Sequence, residues 1–257
     1  MALLEVKNVG RRFGGLTALS GVTFEVAPGG IKAIIGPNGA GKTTLFNIVA
    51  GSIRPNEGEL RFDGTPITGL PPYKIARLGV SRTFQNLSLF GDMTALENVM
   101  VGRHCRTRRG MGAAALRLPG QQREEREIRE SAAAELDYVG LSAHAGRPVR
   151  ALAFGQRRMV ELARALATEP KLLLLDEPAS GLNTKEKDDL AGLIARIRDR
   201  GITVLLVEHD MSLVMQTADT ILVLHHGATI AEGKPADVRN DAKVVAVYLG
   251  GSFDAQR

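Results

Sequence analysis

The chain has a single cysteine, Cys105, which excludes an internal disulfide and fits a reducing compartment. It lacks any apolar run near the ~20 residues that a membrane-spanning helix requires. Its start, Met1-Ala2-Leu3-Leu4-Glu5-Val6-Lys7, has neither the basic region nor the long apolar stretch of a secretory signal. Aromatic residues are scarce, at 4%, and none interleaves the arginine-rich stretch Arg103, Arg106, Arg108, Arg109, Arg117, Arg123, Arg126 and Arg129. That patch can attract polyanions or anionic headgroups, or be a solvated insertion; without rings to stack on bases, no nucleic-acid partner is expected. A net charge of +5, 44% apolar and 24% charged residues describe an ordinary globular protein. A length of 257 residues allows one large domain or two small ones.

What is present is organised as β, then α, then α/β. Leu4–Val9 and Val22–Val26 alternate with the period of half-buried strands. From Phe90 to about Ala167 the pattern is helical, with Ile128, Ala132, Leu136 and Val139 forming one stripe on a helix from about Gln121 to Tyr138. Residues 103–120 show no periodicity and read as a mobile loop. Leu172–Leu175 and Thr203–Val207 read as strands covered on both faces, separated by a helix over Thr184–Arg200 that stops at Gly201. His226-Gly227 reads as a hairpin turn between Ile221–Leu224 and Thr229–Ile230.

Gly36-Pro37-Asn38-Gly39-Ala40-Gly41-Lys42-Thr43-Thr44 fits G-x-x-x-x-G-K-[ST] and lies between an apolar run, Ile31–Ile35, and a helical one, Leu45–Ala50. In that context glycines let successive N–H groups converge on phosphates at a helix N-terminus. Lys42 is expected to reach the β- and γ-phosphates of a nucleoside triphosphate, and the Thr43 hydroxyl to ligate Mg²⁺. Asp176-Glu177-Pro178 follows the leucine strand at its carboxyl end, where open α/β sheets bind ligands. Asp176 is the expected second Mg²⁺ holder, and Glu177 the group that takes a proton from, or orients, the attacking water. The chain has no Asn-Lys-x-Asp guanine reader, so ATP is expected. A helical insertion between these motifs also sets it apart from small-molecule kinases.

With these motifs in order, the chain resembles the ATP-binding subunits of ABC transporters from about Leu3 to Gly250. Gln85 in Thr83-Phe84-Gln85-Asn86 matches the family's Q-loop, and Leu152-Ala153-Phe154-Gly155-Gln156 its signature. Ser180-Gly181-Leu182-Asn183 matches the D-loop, His209 in Val207-Glu208-His209-Asp210 the switch histidine, and Phe13 the aromatic that stacks on adenine. The resemblance implies an α/β P-loop NTPase fold with a RecA-like core, an N-terminal antiparallel β subdomain and an inserted α-helical subdomain. The whole of 1–257 would be one ABC ATPase domain, its catalytic core about 1–86 and 163–250 and its helical insertion about 87–162. It implies ATP and Mg²⁺ as ligands, with Gln85 sensing the metal and water, His209 touching the γ-phosphate, and the signature closing on ATP held by a second subunit.

Two departures stand out. Ala153 replaces the usual serine and Phe154 a glycine in the signature, and Asn183 stands where the D-loop usually has aspartate. The site completed by this signature is therefore expected to be weaker, and the partner ATPase to be a different chain. An Ala-aromatic-Gly signature, the Arg-rich insertion and the ending Val247-Tyr248-Leu249-Gly250 look like the ATPases of bacterial branched-chain amino-acid importers. Such importers pair two unlike ATPases with two membrane permeases and a periplasmic binding protein, which implies a peripheral place on the cytoplasmic face of the inner membrane. Urea or amide importers, lipopolysaccharide exporters and soluble ABC proteins acting on ribosomes or DNA are the alternatives. Leu87, Leu89, Phe90 and Met93 either line a permease-docking groove or belong to the core of the helical insertion.

Overall fold

Strands buried on both sides set the architecture. A computed structural model describes residues 1–83, 88–103 and 119–248, with backbone only at 119–122. Its six-stranded sheet contains β3 (Ile31–Ile35), β6 (Val80–Arg82), β7 (Leu172–Asp176), β8 (Thr203–Val207), β9 (Thr220–His225) and β10 (Ala228–Gly233), in the order β10-β9-β3-β8-β7-β6. The strands from β9 to β6 run parallel, and β10 returns antiparallel as an edge. All five residues of β3, β7 and β8 are buried, because their alternate side chains feed two different cores. Leu173, Leu175, Val204 and Leu206 enter one core; Leu172, Leu174, Leu205 and Val207 enter the other. Covered parallel strands of this kind read as continuous apolar runs instead of alternating ones.

The second core is closed by α1 (Lys42–Val49) and by a four-stranded antiparallel sheet in the order β2-β1-β4-β5. That sheet comprises β1 (Leu4–Phe13), β2 (Leu16–Val26), β4 (Glu57–Phe62) and β5 (Thr65–Pro66). Both long strands outrun the alternation visible in the sequence. Register shifts between Val6 and Arg12 break the period-two pattern of β1, and Gly21, at φ 63°, interrupts that of β2. A short helix, α2 (Pro72–Leu78), leads into β6.

The first core is closed by helices. α3 (Ala95–Arg103) packs on α4 (Pro119–Tyr138) and α5 (Phe154–Leu166), with Ala132 and Leu136 wholly buried and Ile128 and Val139 nearly so. The expected stripe on α4 is the one buried. α6 (Thr184–Asp199), α7 (Met211–Thr217), α8 (Pro235–Asn240) and α9 (Ala242–Tyr248) complete the helical layer. The loop expected over 103–120 lies mostly outside the described residues, as do Leu249 and Gly250; Arg103 is the last residue of α3 and Pro119 the first of α4.

Candidate functional site

The glycine loop turns from β3 into α1 in a space that admits no side chains at two points. A Cβ on Gly36 would stand 2.1 Å from the carbonyl oxygen of Leu224, and one on Gly41 would stand 2.6 Å from that of Ala18, with φ of 151° and 102° respectively. The β9–β10 turn braces the loop from behind. Gly227 N donates to Ala40 O at 3.0 Å, and Gly227 O accepts from Ser20 N at 2.8 Å. Gly41, the residue ahead of α1, offers no side-chain cap, so the first N–H groups of the helix face the loop.

Lys42 is buried, and its Nζ donates to the carbonyls of Gly36 at 2.7 Å and Pro37 at 2.9 Å. Burial lowers its pKa, while the nearby carboxylates of Glu177 and then Asp176 act in the opposite direction. The Asp-Glu pair therefore lies within electrostatic reach of the loop lysine. Thr43, Asn38 and Gly39 are exposed, and Thr44 and Pro37 partly so.

Asp176 ends β7 almost wholly buried, and its Oδ2 accepts from Arg82 Nη2 at 2.8 Å. Arg82 sits on β6, and its Nη1 also reaches Asn47 Oδ1 on α1 at 2.6 Å. One guanidinium thus ties the phosphate-loop helix to the acidic strand end. Nothing in the linear pattern picks out Arg82, because its partners are distant in the chain. Glu177 has φ 47°, in the left-handed region, which turns its side chain off the line of the strand. Its Oε2 lies 3.7 Å from Nδ1 of His209, whose side chain is 59% exposed. Phe13 is exposed at the end of β1 with the Arg11 guanidinium 4.5 Å from its ring centre. Gln85 lies outside the described residues.

The sequence pattern puts the signature in a loop ahead of a helix from about Arg157 to Ala167; in the structure Ala153 to Gln156 instead form the N-cap and first turn of α5. Leu152 is buried, Ala153 is the N-cap and Phe154 the first helical residue. Gln156 Oε1 accepts from Ala153 N at 3.1 Å, which is half of a capping box; alanine has no oxygen for the other half. Phe154 lies against the D-loop: a Cβ on Gly181 would meet its Cε1 at 2.8 Å. Gly155 is held close to Glu186, with only 2.5 Å between a Cβ there and Oε1. Asn183 caps α6, accepting from Glu186 N at 3.0 Å while Glu186 Oε2 accepts from Asn183 N at 2.9 Å. That full capping box gives the asparagine a local structural reason, since Asn and Asp cap helices about equally well. Ser180 and Leu182 form the turn between, with Ser180 N donating to Glu177 O at 3.1 Å.

Residues 19–180 match the ABC transporter family. The chain belongs to the ABC transporter family. Within this ABC protein, residues 228–254 also match a family described as branched-chain amino acid ATP-binding cassette transporter. The high-affinity branched-chain amino acid transport ATP-binding protein BraF of Pseudomonas aeruginosa is 48% identical over 249 residues, covering 96% of this chain and 98% of BraF. Among solved structures, an ATP-binding cassette of an ABC transporter in its ADP conformation superposes with a TM-score of 0.86 at 34% identity, covering 97% of this chain and 99% of that one. A cassette solved as a dimer in a post-hydrolysis state with ADP and phosphate gives 0.76 at 28% identity, covering 90% and 98%. As an ABC cassette the chain binds ATP and hydrolyses it, and the expected fold class and family hold. Among the described residues no helix is long and apolar enough to cross a membrane.

Proposed function

We propose that this chain is one of two unlike ATPases that power import of branched-chain amino acids through a pair of membrane permeases fed by a periplasmic binding protein. The observation that carries the hydrolytic part is the 3.7 Å approach of Glu177 Oε2 to His209 Nδ1, beside a lysine that feels the Glu177 charge. The match at residues 228–254 and the similarity to BraF support the cargo class.

The chemistry follows from the groups in place. The loop N–H groups and Lys42 hold the phosphate tail, and Phe13 offers an apolar face to the base. Glu177 accepts a proton from water as its oxygen attacks the γ-phosphorus and the bond to the β-γ bridging oxygen breaks, leaving ADP and phosphate. His209 donates a hydrogen bond to a γ-phosphate oxygen. Thr43 and Asp176 provide the hard oxygens that suit Mg²⁺, with Gln85 an expected third, and the ion when bound neutralises charge on the β- and γ-phosphates.

Leu152, Ala153, Phe154, Gly155 and Gln156 present a helix start to the partner's nucleotide, with Ser180, Gly181, Leu182 and Asn183 alongside. Because Ala153 adds no hydroxyl to that surface, the partner's site closes on a weaker surface, which favours an unlike second ATPase. Ser88, Phe90, Val101, Gly102 and Arg164 line a groove, with the Phe90 ring 52% exposed, while Leu89 packs into the helical core. This groove receives a permease helix, which holds the chain on the cytoplasmic face of the inner membrane.

Reconstitution of the transporter in proteoliposomes tests the reading. ATP-driven uptake of leucine, isoleucine and valine is expected. Glu177→Gln is expected to retain ATP while slowing hydrolysis by roughly 100-fold or more. Undiminished turnover in that variant, or no uptake of these three cargoes, refutes it.

A further inference from the structure

Glu208 is the residue that follows β8, and its side chain is fully buried. A carboxylate taken out of water needs donors, and here they come from two separate loops. Its Oε1 accepts from Ala179 N at 2.8 Å, two residues after Glu177. Its Oε2 accepts from His209 N at 2.9 Å and Asp210 N at 3.1 Å. The two loops are therefore laced through one side chain: the loop leading from Glu177 into the D-loop, and the loop carrying His209.

Two further contacts lie on either side of this lacing. Glu177 N donates to Val207 O at 2.9 Å. Lys187, near the start of α6, pairs with Asp210 at 2.6 Å, and Asp210 in turn caps α7 through Ser212 N and Leu213 N. The hydrogen bond that Lys187 donates to Asp210 raises the Lys187 pKa, and the Glu208 charge adds to it from farther away.

We infer that Glu208, backed by the Lys187–Asp210 pair, is a positioning residue that makes the Glu177 loop, the D-loop and the His209 loop move as one body. The inference rests on the roles proposed above for Glu177 and His209. Glu208 acts on those two groups through the backbone on either side of them, and its Oε2 also lies 3.7 Å from Nδ1 of His209. A neutral hydrogen-bonding residue cannot replace it. Glutamine offers one accepting oxygen and turns a donating NH₂ toward N–H groups, so it can hold one loop but not both.

The test measures ATP hydrolysis by the assembled transporter. Glu208→Gln, nearly isosteric, is expected to lower kcat by roughly 10- to 100-fold, the scale of a small misplacement of reacting groups, while KM for ATP stays within about threefold. Lys187→Met is expected to lower kcat by about 3- to 10-fold with the same unchanged KM. A purely structural role predicts less folded protein with normal kcat per nucleotide site. Normal kcat in folded Glu208→Gln, or a raised KM in place of a lowered kcat, overturns the inference. Should Glu208→Gln fail to fold, Lys187→Met decides: a lowered kcat supports the inference and a normal one overturns it. Glu177→Gln run in parallel separates the two claims. If it stops turnover while Glu208→Gln and Lys187→Met do not, only the positioning role falls.

Discussion

Replacing Arg82 with methionine keeps a long apolar stem and removes the guanidinium. Asp176 is 1% exposed and Arg82 13%, so the carboxylate is shut off from bulk water while the guanidinium keeps a small opening. Removing one partner of such a pair costs about 3–5 kcal/mol, because the remaining charge stays buried without compensation. Lys42, whose charge Asp176 favours, still supplies some positive potential, which points to the lower half of that range. For a chain of this size each kcal/mol moves the melting temperature by about 2–4 °C, so Arg82→Met is expected to melt roughly 6–15 °C below the parent in EDTA. If Asp176 also holds Mg²⁺, a magnesium complex of a non-hydrolysable ATP analogue brings a new cation to the stranded carboxylate. The gap between variant and parent should then shrink well below its EDTA value. Differential scanning calorimetry in the two buffers gives both numbers. A gap under about 2 °C in EDTA would show that the pair is not a buried one. A gap unchanged by the magnesium complex would remove Asp176 from the metal site.

Ala153→Ser gives α5 the acceptor its N-terminus lacks. It should stabilise the chain by about 1 kcal/mol, read as a melting point roughly 2–4 °C higher, and an unchanged or lower melting point would refute the half-capped geometry. Lys42 supplies a pH test, because burial sets its pKa below the ordinary 10.5. The unfolded chain then holds the proton to higher pH than the native one, so native stability gains from Lys42 as pH rises toward 10.5. Urea midpoints of the parent minus those of Lys42→Met should therefore increase from pH 8 upward, and a falling difference would contradict the burial argument.

The parts of the site that the sequence made readable are those whose chemistry is local. Gly36 to Thr44 is one contiguous turn, and Leu172 to Asp176 is one strand with its acidic end, so spacing alone locates both. Thr203–Val207 was readable for the same reason, being apolar on both faces. Where geometry joins distant segments, the pattern is silent. Arg82 meets Asn47 and Asp176 across three elements, and Glu208 meets Ala179 from the next strand over; neither has a periodic or motif signal. The start of α5 was misplaced because the first turn, Phe154-Gly155-Gln156, includes a glycine and follows an alanine where a helix normally shows an oxygen-bearing cap. Strand β1 was cut short for a related reason: its register shifts put polar residues out of step with the alternation.

The turn between β9 and β10 has a consequence for synthesis. Leu224 and Gly227 set the curl of a loop that leaves the ribosome far earlier, since Gly36 and Ala40 lie near the other end of the chain. Nascent chains fold from the amino end as they emerge. Until Gly227 has been added, the growing polypeptide carries the letters of a phosphate cradle without its support. Products that terminate before Gly227 therefore lack the hydrogen bond that braces Ala40 from behind.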